Sequence, residues 1–435
     1  MKKLVFPFLI ISSLTIGCSS DTNEMIPNEE PNTQGEDPGT PDEPDAPNSD
    51  TPNLTFLRGG NFGGTDSDTA FSIARTNENG FVFAGRTGSN AYLVGADNDL
   101  NMLWEKSFLG DDGVFHSVIN SNDGNLIAVG SINNEVYVVK FQTNGNIIWE
   151  QTLGGSQGEF ARGIVETNDL GFVIIGSTNS SDGIFSDPKG GNDAFALKLD
   201  AEGNLIWSNT YGGSQTDILI DLINENDGGF LIVGSTASND GDVKNNKGLE
   251  DIWILRISSN GELLNENTIG SSGNDFVSGI TSMQNGNYAI SATNSPILDG
   301  DVTFSNGGSD AWILLIDPSL NIIGQANFGA ERGESGNQIV EVPNGDLIFI
   351  SNFVASNASE TNIQSDYWVV RLSPKLEIID QLTLGGSGSD LPYDALLFEE
   401  NSLILTGESI SSDGDIIVNN GGFDIWSVII DISGE

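Results

Sequence analysis

Short apolar runs separated by turn residues follow one another along the chain after residue 53. The stretch that begins at Gly154 shows this pattern most plainly, and it predicts four strands at residues 160–166, 172–177, 194–199 and 204–211. The connections between the first two and the last two strands carry the Gly, Asn and Asp residues that tight turns require. No segment of this region has a helical period, so the pattern predicts an all-β domain.

The four-strand unit is repeated along the chain. Copies begin at Gly63, Gly110, Gly154, Gly212, Gly270, Gly329 and Gly385. One such unit cannot bury both of its faces alone, whereas a ring of units buries each face against a neighbour. The seven copies therefore predict a seven-bladed β-propeller with four-stranded antiparallel blades. The strands of each blade are named A to D in chain order.

The two ends of the repeat array complement each other. The seventh copy ends after its C strand and lacks a D strand, whereas residues 54–62 precede the first copy and match a D strand. The match is carried by Asn61-Phe62-Gly63-Gly64, which aligns with Thr210-Tyr211-Gly212-Gly213. We expect this N-terminal strand to complete the last blade, which would remove the exposed edge of an open sheet.

Four motifs recur in the copies, namely GGS-x-x-D, N-D-G-G-F, D-G-D and G-G-x-D-A-W. On these motifs, residues 54–435 resemble the repeat-type β-propellers of surface lipoproteins from Gram-negative bacteria. The resemblance implies the propeller fold and a place in the cell envelope. It names no ligand, because propellers host many unrelated activities.

The N-terminus has the features of an export signal. Lys2 and Lys3 precede an apolar run at residues 4–16 that is too short to span a bilayer. Gly17-Cys18 closes this run and resembles a bacterial lipobox, in which the cysteine is acylated and becomes the mature N-terminus. Cys18 is the only cysteine of the chain. Residues 1–18 are therefore interpreted as a lipoprotein signal segment with an acylated Cys18, and the alternative is an ordinary secretory signal with an incidental cysteine.

Residues 19–53 are rich in Pro, Asp, Glu, Asn and Thr, and this composition predicts a disordered acidic tether. The lipid anchor would then place residues 54–435 on an outer membrane, exposed at the cell surface. The whole chain has 62 acidic and 16 basic residues, a net charge of −46. Such a charge repels nucleic acid, so no nucleic-acid partner is expected. We expect a monomer.

Chain direction distinguishes two faces of the ring. The A–B and C–D connections are short turns, whereas the other face carries the D–A loops and long B–C insertions in the third to seventh copies. Aspartates recur in these insertions, and hard carboxylate oxygens suit calcium. The candidate calcium ligands are Asp182, Asp240, Asp242, Asp299, Asp301, Asp413 and Asp415. The alternative is plain turn chemistry, because Asp-Gly favours tight turns, and no other cofactor is predicted.

The remaining functional signals are sparse. His116 is the only histidine, so no Ser-His-Asp or multi-histidine site can be assembled, and it is interpreted as a strand-packing residue. The tryptophans fall on two repeat positions, which predicts packing between blades. The leading hypothesis is a non-catalytic binding module that holds a glycan or a protein on the long-loop face. The alternatives are a carboxylate-based or calcium-assisted glycan hydrolase or lyase, which asymmetric carboxylates in the channel would favour, and a structural or adhesive envelope protein.

Overall fold

The computed structural model describes residues 54–78, 80–185, 187–329, 333–354 and 364–433. Within these ranges, 28 strands form seven antiparallel sheets of four strands each, arranged as a ring. The sequence prediction of a seven-bladed β-propeller is therefore confirmed. The described ranges contain no helix of the length and hydropathy needed to cross a bilayer.

Each blade is built from consecutive strands. Blade 1 has β2 (Asp68–Thr76), β3 (Gly80–Thr87), β4 (Asn90–Asp97) and β5 (Met102–Phe108); blade 2 has β6 (Val114–Asn120), β7 (Leu126–Ile132), β8 (Glu135–Phe141) and β9 (Ile147–Leu153); blade 3 has β10 (Glu159–Glu166), β11 (Phe172–Thr178), β12 (Asp193–Leu199) and β13 (Leu205–Tyr211). Blade 4 has β14 (Asp217–Asn224), β15 (Phe230–Thr236), β16 (Asp251–Ile257) and β17 (Leu263–Ile269); blade 5 has β18 (Phe276–Ser282), β19 (Tyr288–Asn294), β20 (Asp310–Ile316) and β21 (Ile322–Phe328). Blade 6 has β22 (Gly336–Glu341), β23 (Leu347–Val354), β24 (Ser365–Leu372) and β25 (Ile378–Leu384); blade 7 has β26 (Asp390–Glu399), β27 (Ser402–Ser409), β28 (Asp424–Asp431) and the N-terminal β1 (Thr55–Phe62).

The N-terminal strand closes the ring, as the sequence predicts. β1 pairs antiparallel with β28, from Thr55 opposite Asp431 to Phe62 opposite Ile425. The seventh sheet therefore takes its first three strands from the end of the chain and its outermost strand from the beginning. This pairing joins the two ends of the repeat array and leaves the ring without an open blade.

The hydrophobic core lies between adjacent blades. The B and C strands are buried along most of their length because neighbouring blades cover both faces of each sheet, and β11, β12 and β20 are buried at every position. Trp253, Trp312 and Trp426 are fully buried. The packing role predicted for the C-strand tryptophans is therefore confirmed.

Every A strand contains a β-bulge, one extra residue that has no partner on the B strand. In blade 3 the register shifts between Ala161 and Gly163, so Arg162 is the extra residue. The shift occurs at the corresponding position in all seven blades. A bulge re-aims its side chain and frees backbone groups from the ladder. The A strands form the inner wall of the ring, so the bulge residues point into the central channel.

Candidate functional site

The central channel is lined by the bulge residues of the seven blades. These are Phe71, His116, Arg162, Ile220, Ser278, Asn337 and Tyr393. They surround a cavity of about 360 Å³. No residue type occurs twice at this position, whereas the glycines and aspartates of the loops recur from blade to blade. The channel is therefore the place where the ring departs from its internal symmetry.

Arg162 and His116 form a polar pair on one side of the channel. Arg162 Nη1 lies 3.3 Å from His116 Nε2. Because a guanidinium only donates, this contact requires His116 Nε2 to accept and leaves the ring proton on Nδ1. Burial, assisted by the positive charges of Arg162 and Arg86, holds the pKa of His116 well below its ordinary value. His116 is therefore a neutral ring at pH 7.

Aromatic rings extend the wall on the other side of His116. The ring centroid of Phe71 lies 5.2 Å from that of His116 and 5.0 Å from that of Tyr393. The Tyr393 hydroxyl donates to Glu408 Oε1 at 3.1 Å, and the Thr69 hydroxyl donates to the other oxygen of Glu408. Burial and the Glu408 carboxylate raise the pKa of Tyr393. Blades 7, 1 and 2 thus present a continuous aromatic wall to the channel.

Two arginines face this wall without an acidic partner. Arg86, at the end of β3, lies 5.9 Å from the centroid of the Phe71 ring. Neither Arg86 nor Arg162 forms an ion pair with any acidic residue in the part of the chain that the structure describes. Arg162 Nε is also buried without a hydrogen-bond partner. Of these two arginines, only Arg162 lines the cavity itself. A guanidinium without a carboxylate partner retains its capacity to donate to an anion.

Asp221 and Asp394 also line the cavity, but their oxygens are engaged by the backbone. Asp221 Oδ2 accepts from the N–H of Ile280 in the next blade at 2.9 Å, and Asp394 Oδ2 accepts from the N–H of Ile73 at 2.9 Å. The Oδ1 atom of each accepts from the following residue at 2.8 Å. Burial raises the pKa of Asp221 to about 6 and also raises that of Asp394. These carboxylates therefore connect neighbouring blades across the bulges.

The predicted calcium ligands lie in the long B–C loops, where they connect to the D–A loop of the same blade. The first aspartate of each group accepts a serine N–H through Oδ1: Asp182 at 2.7 Å, Asp240 at 2.6 Å, Asp299 at 2.7 Å and Asp413 at 2.7 Å. The second accepts a glycine N–H through Oδ2: Asp242 at 3.2 Å, Asp301 at 3.0 Å and Asp415 at 3.1 Å. Each of these seven thus has a role in loop structure, as the turn-chemistry alternative predicts. Calcium binding by these loops stays a prediction.

Two further observations concern the predicted sites. Cys18, the predicted lipidation site, and the signal and tether segments lie outside the described residues. Across residues 54–433, as far as they are described, no group of three or more His, Cys, Asp or Glu side chains is placed to hold a metal ion.

Most of the channel was not predicted from the sequence. His116 lies on an A strand, as predicted, and it contacts Phe71 as well as lining the channel. Arg162, Phe71 and Tyr393 were not among the predicted site residues. A signal was present in the repeats. When the seven copies are aligned, one A-strand position has a different residue type in every copy. Residues that line the centre of a symmetric ring must differ in this way if the ring is to bind an asymmetric ligand.

No protein-family model matches the sequence, and no curated protein matches it either. Among solved structures, a streptogramin B lyase aligns over 87% of this chain and 100% of its own, with a TM-score of 0.53 and 14% identity. The WD40 repeats of RRP9 align over 87% of this chain and 99% of theirs, with a TM-score of 0.51 and 8% identity. A catalytically inactive virginiamycin B lyase from Staphylococcus aureus, solved with quinupristin, aligns over 86% and 99%, with a TM-score of 0.50 and 13% identity. At these identities the similarity shows the fold alone.

Proposed function

We propose that the chain is a lipid-anchored, surface-exposed binding module that holds an anionic glycan at its central channel. The observation that carries the proposal is the Arg162 guanidinium, which faces the cavity and has no carboxylate partner among the described residues. A guanidinium binds carboxylate, sulfate or phosphate groups through charge-assisted hydrogen bonds.

The other groups of the channel suit a sugar that carries such an anion. The rings of Phe71 and Tyr393 offer an apolar surface, and the neutral His116 and the Asn337 side chain add polar groups to the wall. A cavity of about 360 Å³ lies within the range of small-ligand sites, roughly 300–1,000 Å³. The site therefore combines one cationic anchor with a mixed aromatic and polar wall.

Access to the site is easiest over blades 1 and 2. In these blades the B and C strands are joined by tight turns, since β3 ends at Thr87 and β4 begins at Asn90, and β7 ends at Ile132 and β8 begins at Glu135. Arg86 lies on this low side of the long-loop face. β1 begins on the short-turn face, so an anchor that precedes it would leave the long-loop face directed away from the membrane.

A glycan-active hydrolase or lyase is the second candidate, and the position of Asp221 and Asp394 in the channel favours it. Their raised pKa values are compatible with acid–base chemistry. Against this role, both oxygens of each carboxylate accept backbone N–H groups, which keeps the carboxylates in place between the blades. Incubation with acidic oligosaccharides would reveal turnover as new reducing or unsaturated chain ends, lost in Asp221→Asn.

Binding to a glycan array tests the leading proposal. The array should contain uronate-bearing, sulfated and neutral oligosaccharides, with acidic peptides printed beside them. Wild type is expected to bind acidic glycans, and Arg162→Gln is expected to bind them roughly 10- to 100-fold more weakly, the loss that follows from removing one hydrogen-bonded charge. Lys375→Gln, which removes an exposed lysine from a C–D turn, is the matched control and should bind as wild type does.

Equal binding by wild type and Arg162→Gln would refute the proposed site. Binding restricted to neutral glycans would refute the anionic ligand, and binding restricted to the peptides would assign the site to a protein partner.

A further inference from the structure

A buried pair of carboxylates lies where the ring closes, between blade 7 and blade 1. Asp424 is the first residue of β28 and Asp68 is the first residue of β2, and their exposed fractions are 0% and 1%. Gly63 lies between them. A Cβ atom at this glycine would be 2.4 Å from Asp68 Oδ2 and 2.9 Å from Asp424 Oδ1. Carboxylate oxygens from two blades thus converge on a small space that the glycine leaves open.

The hydrogen bonds of this pair leave one oxygen of each carboxylate without a donor. Asp424 Oδ2 accepts from the N–H of Asn420 at 2.6 Å, and Asp68 Oδ2 accepts from the N–H of Gly64 at 2.8 Å. Asp424 Oδ1, which lies against Gly63, and Asp68 Oδ1 are both buried and have no hydrogen-bond partner. A buried acceptor without a donor is costly, and a second carboxylate beside it increases the cost.

The junction between blades 4 and 5 holds an equivalent pair with a lysine beside it. Asp251 and Asp275 converge on Gly270 in the same way, at 2.4 and 3.0 Å from the position of its Cβ. Lys247, four residues before Asp251, binds Asp301 Oδ2 at 2.8 Å and donates its backbone N–H to Asp251 at 2.7 Å. Its ammonium group therefore adds positive charge to this acidic junction, where Asp251 Oδ1 is also buried without a hydrogen-bond partner. The lysine, rather than the unpartnered oxygen, distinguishes this junction from the closing one.

The closing junction has no such group. Asn420 occupies the position of Lys247, and neither Asp68 nor Asp424 forms an ion pair with a Lys or Arg residue among those described. Burial raises the pKa of both carboxyl groups, and the nearby Asp68 carboxylate raises that of Asp424 further. Among the described residues, backbone N–H groups, and no Lys or Arg side chain, act against the negative charge of this pair.

We infer that a hard divalent cation, of which calcium is the representative, binds between Asp68 and Asp424 and links the last blade to the first. Carboxylate oxygens are the ligands that calcium prefers, and its coordination of six to eight oxygens leaves positions for water beside two carboxylates. The site is distinct from the Asp-Gly-Asp loops, because its ligands are the first residues of two strands. It is also independent of the anion site in the channel.

Thermal unfolding of the intact protein in calcium chloride, in magnesium chloride and in EDTA tests this inference. Calcium is expected to raise the melting temperature, by about 3 °C for a chain of this size at about a hundred times the dissociation constant. Asp424→Asn should abolish the shift. Asn420→Lys should also abolish it and should raise the melting temperature in EDTA, because it supplies the ammonium group that Lys247 supplies between blades 4 and 5.

Two control variants should keep the calcium shift. Asp112→Asn changes an exposed aspartate at the junction of blades 1 and 2, where Gly113 takes the place of Asp68 in the repeat. The double variant Asp240→Asn, Asp242→Asn removes the carboxylates of one Asp-Gly-Asp loop. If Asp424→Asn does not fold, calcium binding is measured by equilibrium dialysis with radioactive calcium instead of by the melting of that variant. In this experiment Asn420→Lys should bind one ion fewer than wild type.

An identical wild-type melting temperature in calcium and EDTA would overturn the inference. A calcium shift that persists undiminished in Asn420→Lys and Asp424→Asn would also overturn it, and loss of that shift in the loop variant would assign the calcium to the loops instead.

Discussion

Gly59 leaves the buried indole of Trp426 without the hydrogen-bond acceptor that other blades provide. Trp253, Trp312 and Trp368 donate their Nε1–H to Glu266 at 3.3 Å, Gln325 at 3.1 Å and Gln381 at 3.2 Å. Each acceptor lies at one D-strand position, and Gly59 of β1 occupies that position in blade 7. Trp426 Nε1 is buried and unpaired. We predict that Gly59→Gln stabilises the propeller.

The expected gain is about 1 kcal/mol. Supplying an acceptor to a buried, unpaired donor recovers about 1–3 kcal/mol. Replacing a strand glycine adds about 0.5–1 kcal/mol, while ordering the glutamine side chain costs up to about 1.5–2 kcal/mol. The new Cβ would lie 3.1 Å from Trp426 Nε1, so the indole must shift by a few tenths of an ångström. Gly59→Ala makes the same contact without an acceptor and is the matched control.

Urea unfolding followed by circular dichroism measures the difference. At an m value of about 3 kcal/mol/M, a gain of about 1 kcal/mol moves the midpoint up by about 0.3 M. The Gln-minus-Ala difference should disappear when Trp426 is replaced by Phe, which makes the test a double-mutant cycle. A Gly59→Gln midpoint no higher than that of Gly59→Ala, or a difference that survives Trp426→Phe, would refute the reasoning.

Three further predictions use other assays. Cys18→Ser should release the protein from membranes, and a variant that is still lipid-labelled and membrane-bound would contradict the anchor. His116 is the only histidine, so NMR should show one imidazole signal, and this signal should titrate well below pH 6.5. Arg162→Gln should raise the pKa of His116 without restoring its ordinary value, because the ring remains buried. Titration of the wild-type signal near pH 6.5 would contradict this prediction. In EDTA the propeller should melt at higher temperature at pH 5.5 than at pH 7.5. Burial raises the pKa of Asp221, Asp251 and Asp366 to about 6, so the folded protein takes up protons that the unfolded chain does not. Each group therefore adds about 0.8 kcal/mol to the free energy of unfolding between pH 7.5 and pH 5.5. His116 opposes this change below pH 6.5, and a lower melting temperature at pH 5.5 would contradict the prediction.

The repeats were sufficient to predict the ring and its closure. In blade 3 the predicted strands agree with β10, β11, β12 and β13 to within one residue at each end. The unpaired strand before the first copy correctly predicted the pairing of β1 with β28. Periodic apolar runs and turn glycines are local signals, and seven copies of them reinforce one another.

The channel could not be predicted by the same route. Its lining depends on which A-strand residue bulges, and a bulge is set by backbone register rather than by a turn residue or an apolar period. Asp221, for example, is an ordinary polar position within a strand until the next blade brings the N–H of Ile280 to it. The pairing of Asp68 with Asp424 likewise joins residues at opposite ends of the chain, and it exists only after the ring has closed.

The bulges have a consequence for how such a protein acquires new ligands. Because Arg162 has no partner on β11, replacing it leaves the strand ladder between β10 and β11 intact. The same holds for the extra residue of every blade. The inner wall thus consists of seven positions outside the strand ladders, and neighbouring residues of this set contact one another, as Phe71 contacts His116 and Tyr393. Single substitutions at these positions can therefore change the ligand specificity of the ring. Hypervariable loops play the same part in antibodies, whereas here the variable residues lie on rigid strands.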